Sequence, residues 1–163
     1  MLSQRINLIA YSTLAVIICY IDRVNISVAI IPMQEQFGWS DSQVGFIFSS
    51  FYLGYMLTMA LGGYLSDKFG GKRVLGWGVV LWSIFTILTP LAAHNGFFAL
   101  FFIRILMGIG EGVTFPAWHS LYARWIPFNE RTRAIAFTNS GVSIGTIIGY
   151  IGTQMIILAM GWE

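Results

Sequence analysis

The chain has 163 residues, of which 56% are hydrophobic, 16% aromatic and only 10% charged, with a net charge of +2. Soluble domains carry about 25% charged residues, so this composition excludes a water-exposed globule, and a mean hydropathy of +0.73 points into a lipid bilayer. The small net charge, with no basic stripe, argues against a nucleic-acid partner.

Apolar runs of about 18 residues or more mark lipid-spanning helices. Five segments fit, near residues 6–32, 42–65, 74–92, 97–123 and 134–159. The first follows Arg5 but contains Asp22-Arg23 and no small-residue cleavage site, so it reads as a span and not as a secretory signal. Lone Cys19 within it offers neither a disulfide nor a zinc site and reads as a small packing residue. Val74 to Ile103 is too long for one span, and His94-Asn95-Gly96, shortly after Pro90, supplies the turn that divides it. In the fifth span Gly141, Gly145 and Gly149 form a smooth ridge, suited to close packing or to sliding during a conformational change.

Loop charges give the orientation. Lys68, Lys72 and Arg73 follow span two, and Arg124, Arg131 and Arg133 follow span four. The opposite loops, Met33–Asp41 and Ala93–Gly96, hold no lysine or arginine. The positive-inside rule then predicts a cytoplasmic N-terminus. The chain stops at Gly161-Trp162-Glu163, directly after an odd-numbered span, which suggests a truncated reading frame or a fragment.

Asp22, Arg23, Arg104 and Glu111 lie well inside spans. Each costs about 2.5–3.5 kcal/mol at a helix centre, so such residues normally face a bundle interior or an aqueous cavity. Arg104 and Glu111 are seven apart and share one helix face about 10 Å apart. Gly108 and Gly112, near that face, admit another helix or a ligand. Asp22 and Arg23 diverge by ~100° and suit partners on another helix. Two readings follow: structural ion pairs that lock spans one and four together, or the lining of a cavity that binds or conducts something. With both carboxylates ionised the four charges cancel. Protonating them leaves two guanidiniums, which keep their charge and bind carboxylate or phosphate bidentately. Protons would thus create an anion site. Tyr11, Tyr20, Tyr52, Tyr55, Asn139 and Ser140 offer further polar lining, and Tyr20 and Tyr52 are the candidate substrate-binding tyrosines. His119, near the basic end of span four, reads first as an interfacial hydrogen-bonding histidine and second as a titrating one. No metal cluster, HExxH, GxSxG or phosphate loop supports an enzyme, a metal or a cofactor.

After span two the sequence reads Gly63-Tyr-Leu-Ser-Asp67-Lys68-Phe-Gly70-Gly71-Lys72-Arg73. Span four adds Arg104-Ile-Leu-Met-Gly108-Ile-Gly110-Glu111-Gly112, then Pro116, Trp125-Ile-Pro127 and Glu130-Arg131; span one adds Tyr20-Ile-Asp22-Arg23. Together these resemble the major facilitator superfamily, and within it the anion:cation symporters of sugar acids, other organic anions and phosphate. The resemblance implies an all-α membrane fold, the chain supplying about five helices of an N-terminal six-helix bundle and lacking the C-terminal half. It implies that Arg23 and Arg104 hold the anion, that Tyr20 touches it, and that Asp22 and Glu111 couple protons. It places Gly63, Asp67, Lys68, Gly70, Lys72, Arg73, Glu130 and Arg131 at a cytoplasmic gate. Phe48 stands where the vesicular glutamate branch has histidine, which weakens a glutamate reading. Tyr150 after Gly149 departs from the Gly-Pro of antiporters, which favours symport.

The expected function is proton-coupled symport of an organic anion by alternating access in a cell (inner) membrane. Phosphate or Na⁺-coupled anion transport, or a non-transporting fragment, are the alternatives.

Overall fold

The computed structural model describes residues 2–162. Among them lie six α-helices: α1 (Leu2–Phe37), α2 (Asp41–Phe69), α3 (Gly71–His94), α4 (Phe97–Gly112), α5 (Thr114–Trp125) and α6 (Phe128–Met160). α4 and α5 run on as one membrane-length segment, Phe97–Trp125, so five segments are long and apolar enough to cross a bilayer. The interruption at Val113 has a local cause. Pro116 has no N–H to give the Gly112 carbonyl, and its ring crowds that carbonyl.

The helices extend past the apolar stretches that mark them in the sequence. Hydrophobicity ends at the membrane face, but backbone hydrogen bonding continues for as long as a terminus is capped. Ser40 caps α2 in a capping box: its hydroxyl accepts from the Gln43 N–H, and its own N–H donates to the Gln43 side chain at 2.9 Å. At the other end α2 gives way to α3 across one residue, Gly70, at φ +88°. Only glycine takes this conformation without strain, so the Gly70 of the loop motif makes a one-residue junction. Between α3 and α4 the junction is two residues, Asn95 and Gly96, with Gly96 at φ +108°, and Asn95 donates its side-chain N–H to the Leu91 carbonyl at 2.8 Å.

The described chain forms two compact units. The first comprises the N-terminal part of α1 (to Ala29), the end of α5 from Leu121, and α6. Here the Gly141-Gly145-Gly149 ridge lies against α1. A Cβ on Gly145 would overlap the Ile17 carbonyl, and one on Gly149 would overlap the Val24 side chain. Buried Thr138 adds a polar clasp. Its hydroxyl is 2.5 Å from the Tyr122 hydroxyl and 3.5 Å from that of Thr13, which donates to the Ile9 carbonyl at 2.8 Å. The Thr13 hydroxyl is the donor toward both Thr138 and the Ile9 carbonyl, so the three hydroxyls and that carbonyl form one linked polar chain. Thr138→Val should therefore cost about 1–2 kcal/mol, read as a lower melting temperature in detergent micelles; an unchanged melt would remove the clasp from the stabilising contacts.

The second unit comprises residues 30–120: the end of α1, all of α2, α3 and α4, and most of α5. α4 packs on both α2 and α3. Its glycines divide the work. Gly108 and Gly112 abut α2, where a Cβ would overlap the Phe51 carbonyl or the Thr58 hydroxyl. Gly110 abuts α3, where a Cβ would sit 2.9 Å from the Trp82 N. Gly54 and Gly78 answer from α2 and α3, facing the Ile105 and Gly110 carbonyls.

Candidate functional site

In the second unit, Arg104 and Glu111 lie on one face of α4. Seven residues bring them to within ~20° of each other around the axis. Arg104 is 3% exposed and Glu111 is fully buried. Removing ions of this kind from water costs several kcal/mol each, and arginine cannot escape by losing its proton. The Arg104 guanidinium sits 5.1 Å from the centre of the Phe51 ring, with Nη1 3.1 Å from Met107 Sδ. Phe51 is held by the same close contact that seats Gly108 on α2, so helix packing fixes the platform under the guanidinium. Tyr52, the next residue, is half exposed and meets the Phe51 ring edge-on.

In the first unit, Asp22 and Arg23 are partly buried on α1. The Arg23 guanidinium lies 4.9 Å from the centre of the Tyr20 ring, and its Nη2 is 3.9 Å from Cys19 Sγ. Tyr20 in turn packs at its Cβ against Gly145 of α6. Each intramembrane arginine therefore rests on one aromatic ring and one sulfur. A guanidinium near an aromatic ring gains a cation–π attraction, and its planar fork of donors is the group that meets a carboxylate or phosphate bidentately.

The loop motif is also held. Asp67 accepts a hydrogen bond from Ser120 of α5 at 3.2 Å, and Lys68 lies near the Tyr64 and Phe69 rings. Gly63 has open space around it, and Lys72 and Arg73 are exposed in the first turn of α3. In the first unit Arg131 donates to the Ala123 and Ile126 carbonyls at 3.0 and 3.3 Å, tying the start of α6 to the end of α5. Glu130 pairs with Arg5 at 3.5 Å. His119 stacks on Trp118, with Nδ1 2.7 Å from the Phe115 carbonyl.

Phe51, Met107 and Ser120 were not among the residues singled out from sequence, and Cys19 was read there only as a small packing residue. Three are apolar or soft residues within apolar runs, where nothing separates a guanidinium's support from ordinary core. Ser120 is one hydroxyl among many. Cys19 and Met107 carried a usable signal, each sitting one helical turn from its arginine.

A family model described as Major Facilitator Superfamily matches residues 12–163. The chain is 49% identical over 146 residues to an ascorbate transporter, chloroplastic, of Arabidopsis thaliana, covering 90% of this chain and 27% of that protein. It is 47% identical over 148 residues to a sodium-dependent phosphate transport protein 1, chloroplastic, of the same plant, covering 91% of this chain and 29% of that protein. It thus spans less than a third of the length of these curated relatives. Among solved structures it is similar to a bacterial homologue of the human lysosomal transporter Spinster, inward-facing and unoccupied. The TM-score there is 0.81 at 26% identity, covering 98% of this chain and 37% of that one. With five apolar membrane-length helices and a family match over most of its length, the chain belongs to the Major Facilitator Superfamily.

Proposed function

We propose that this chain is the N-terminal portion of a secondary transporter that carries an organic anion, a sugar acid or related carboxylate, together with protons by alternating access. The observation that carries the reading is the buried Arg104–Glu111 face of α4, a permanent cation and a protonatable carboxylate inside a membrane span. Arg23 and Arg104 hold the anion, with Tyr20 and Tyr52 beside it. Asp22 and Glu111 take up the coupled protons. When both are protonated the guanidiniums attract an anion; when both ionise, the carboxylates compete with it and favour release, a reciprocal coupling of two ligands. Gly63, Asp67, Lys68, Gly70, Lys72, Arg73, Glu130 and Arg131 act at the gate on the basic face. The second wall of the pathway comes from a C-terminal bundle, as in transporters built from two related halves.

A relative named for ascorbate supports a sugar-acid cargo, since ascorbate is a sugar-derived anion at neutral pH. A second reading, Na⁺-driven phosphate transport, is favoured by the relative named for it. The proposed location is an energised cell (inner) membrane with the basic loops and N-terminus on the cytoplasmic side. The chloroplastic names of the relatives make a plastid membrane the second assignment. The test is uptake of radiolabelled ascorbate and phosphate into proteoliposomes holding the native gene product, under an imposed pH or Na⁺ gradient. Accumulation of ascorbate driven by inward protons is the expected result. Phosphate accumulation that needs Na⁺ and ignores the pH gradient would establish the second reading instead.

A further inference from the structure

A groove of about 330 Å³ opens on the second unit between α2, α3 and α4. Thr58, Phe69, Trp77, Leu81 and Val113 line it, and Arg73 is the first of the α3 residues that do. Its walls are not shielded: Trp77 is 70% exposed and Phe69 51%. The groove is on the far side of α4 from the ionisable pair. Ile109, which also lines it, is ~140° around the helix from Arg104 and ~160° from Glu111. It is therefore separate from the anion face, and its apolar walls suit a lipid acyl chain.

Charge and length narrow the occupant. From Arg73 to Leu81 the groove follows α3 for eight residues, ~12 Å at the α-helical rise, which is under half of a hydrocarbon core of ~30 Å. It therefore runs inward from the membrane face and stays within one leaflet. At its mouth the α2–α3 junction carries Lys68, Lys72 and Arg73 against Asp67 alone, and Asp67 is engaged by Ser120. A basic mouth over an apolar trough matches a negatively charged headgroup with one acyl chain. Trp77, one turn below Arg73, has the amphipathic ring that favours headgroup depth.

We infer that this groove binds an anionic phospholipid of the leaflet facing the α2–α3 junction, its phosphodiester on Arg73 and one acyl chain along Trp77 and Leu81. One basic residue near an anionic lipid surface is worth about fivefold in affinity. The native gene product, released from micelles for native mass spectrometry with equimolar phosphatidylglycerol and phosphatidylcholine of identical chains, should retain phosphatidylglycerol in excess. Arg73→Gln should cut that preference about fivefold, and Arg73→Lys should restore it. Val74→Trp, which fills the groove, should lower retention of both lipids. Arg133→Gln, at a basic residue of the other unit, should leave the preference alone. Equal retention of the two lipids, or a preference that survives Arg73→Gln, overturns the inference. So does full displacement of phosphatidylglycerol by glycerol 3-phosphate, which would make the mouth a site for free phosphate and the groove irrelevant. Circular dichroism separates each outcome from misfolding.

Discussion

Glu111→Gln in the native gene product is expected to abolish anion accumulation driven by a pH gradient while leaving exchange of anion across the membrane measurable. A gradient of one pH unit is worth about 1.4 kcal/mol per coupled proton, enough for about tenfold accumulation at one proton per anion. Glutamine preserves the size and most of the hydrogen-bonding capacity of the side chain but cannot take the proton. Glu111 is fully buried close in sequence to buried Arg104, so the melting temperature of the variant has to be read beside its transport. The variant should therefore equilibrate labelled anion and never exceed equilibrium. Accumulation at the wild-type ratio would take proton coupling away from Glu111 and leave it a structural ion. Loss of exchange together with accumulation would instead point to collapse of the anion site, and melting of the purified variant distinguishes that case.

The second large effect is structural and reaches the same site. Gly108→Leu should lower the melting temperature in detergent by about 6–12 °C, the equivalent of ~3 kcal/mol in a chain of this size. The reason is that the obstacle is backbone. A Cβ at Gly108 would overlap the Phe51 carbonyl and lie 2.9 Å from the Tyr55 N, and neither can rotate aside as a side-chain tip can. α2 and α4 must move apart. That displacement carries Phe51 away from the Arg104 guanidinium it supports at 5.1 Å, so anion transport should fall with stability. Gly76→Ala is the control. It sits inside α3 with nothing within 4 Å of its would-be Cβ, and alanine there restricts the unfolded chain at no packing cost. Its melting temperature should hold or rise. If the Gly108 variant melted with the Gly76 control, the α2–α4 contact would be looser than the structure has it.

These two residues also mark where sequence reasoning is strong and where it stops. Glu111 declares itself from sequence because an ionisable group in an apolar run is costly, and cost of that size is visible without coordinates. Gly108 is visible only as a small residue near an interesting face. Its neighbour could have been a ligand or a helix, and the structure makes it α2. The ridge of Gly141, Gly145 and Gly149 is similar: the spacing shows that something approaches closely, and the partner is α1. Glycine records an absence of bulk, and an absence does not name what fills it.

The sequence by itself determined that this chain is an all-α membrane protein with five apolar, membrane-length helices, and it carried the motifs by which the family is recognised. Both depend on properties local to a segment: the energy of placing a run of side chains in lipid, and short motifs at fixed spacing. Only the tertiary structure decided that the Arg104 guanidinium rests on Phe51 of another helix, beside the local neighbours Met107 for Arg104 and Tyr20 and Cys19 for Arg23. It also fixed the Ser120 bond to Asp67 and the hydroxyl chain of Thr13, Thr138 and Tyr122. Several of these contacts join residues dozens of positions apart, and most of the residues involved look like ordinary core or ordinary hydroxyls along the chain. Partner choice at that range follows from which helix faces meet, and the hydrophobic pattern is nearly blind to faces when lipid and protein interior are equally apolar.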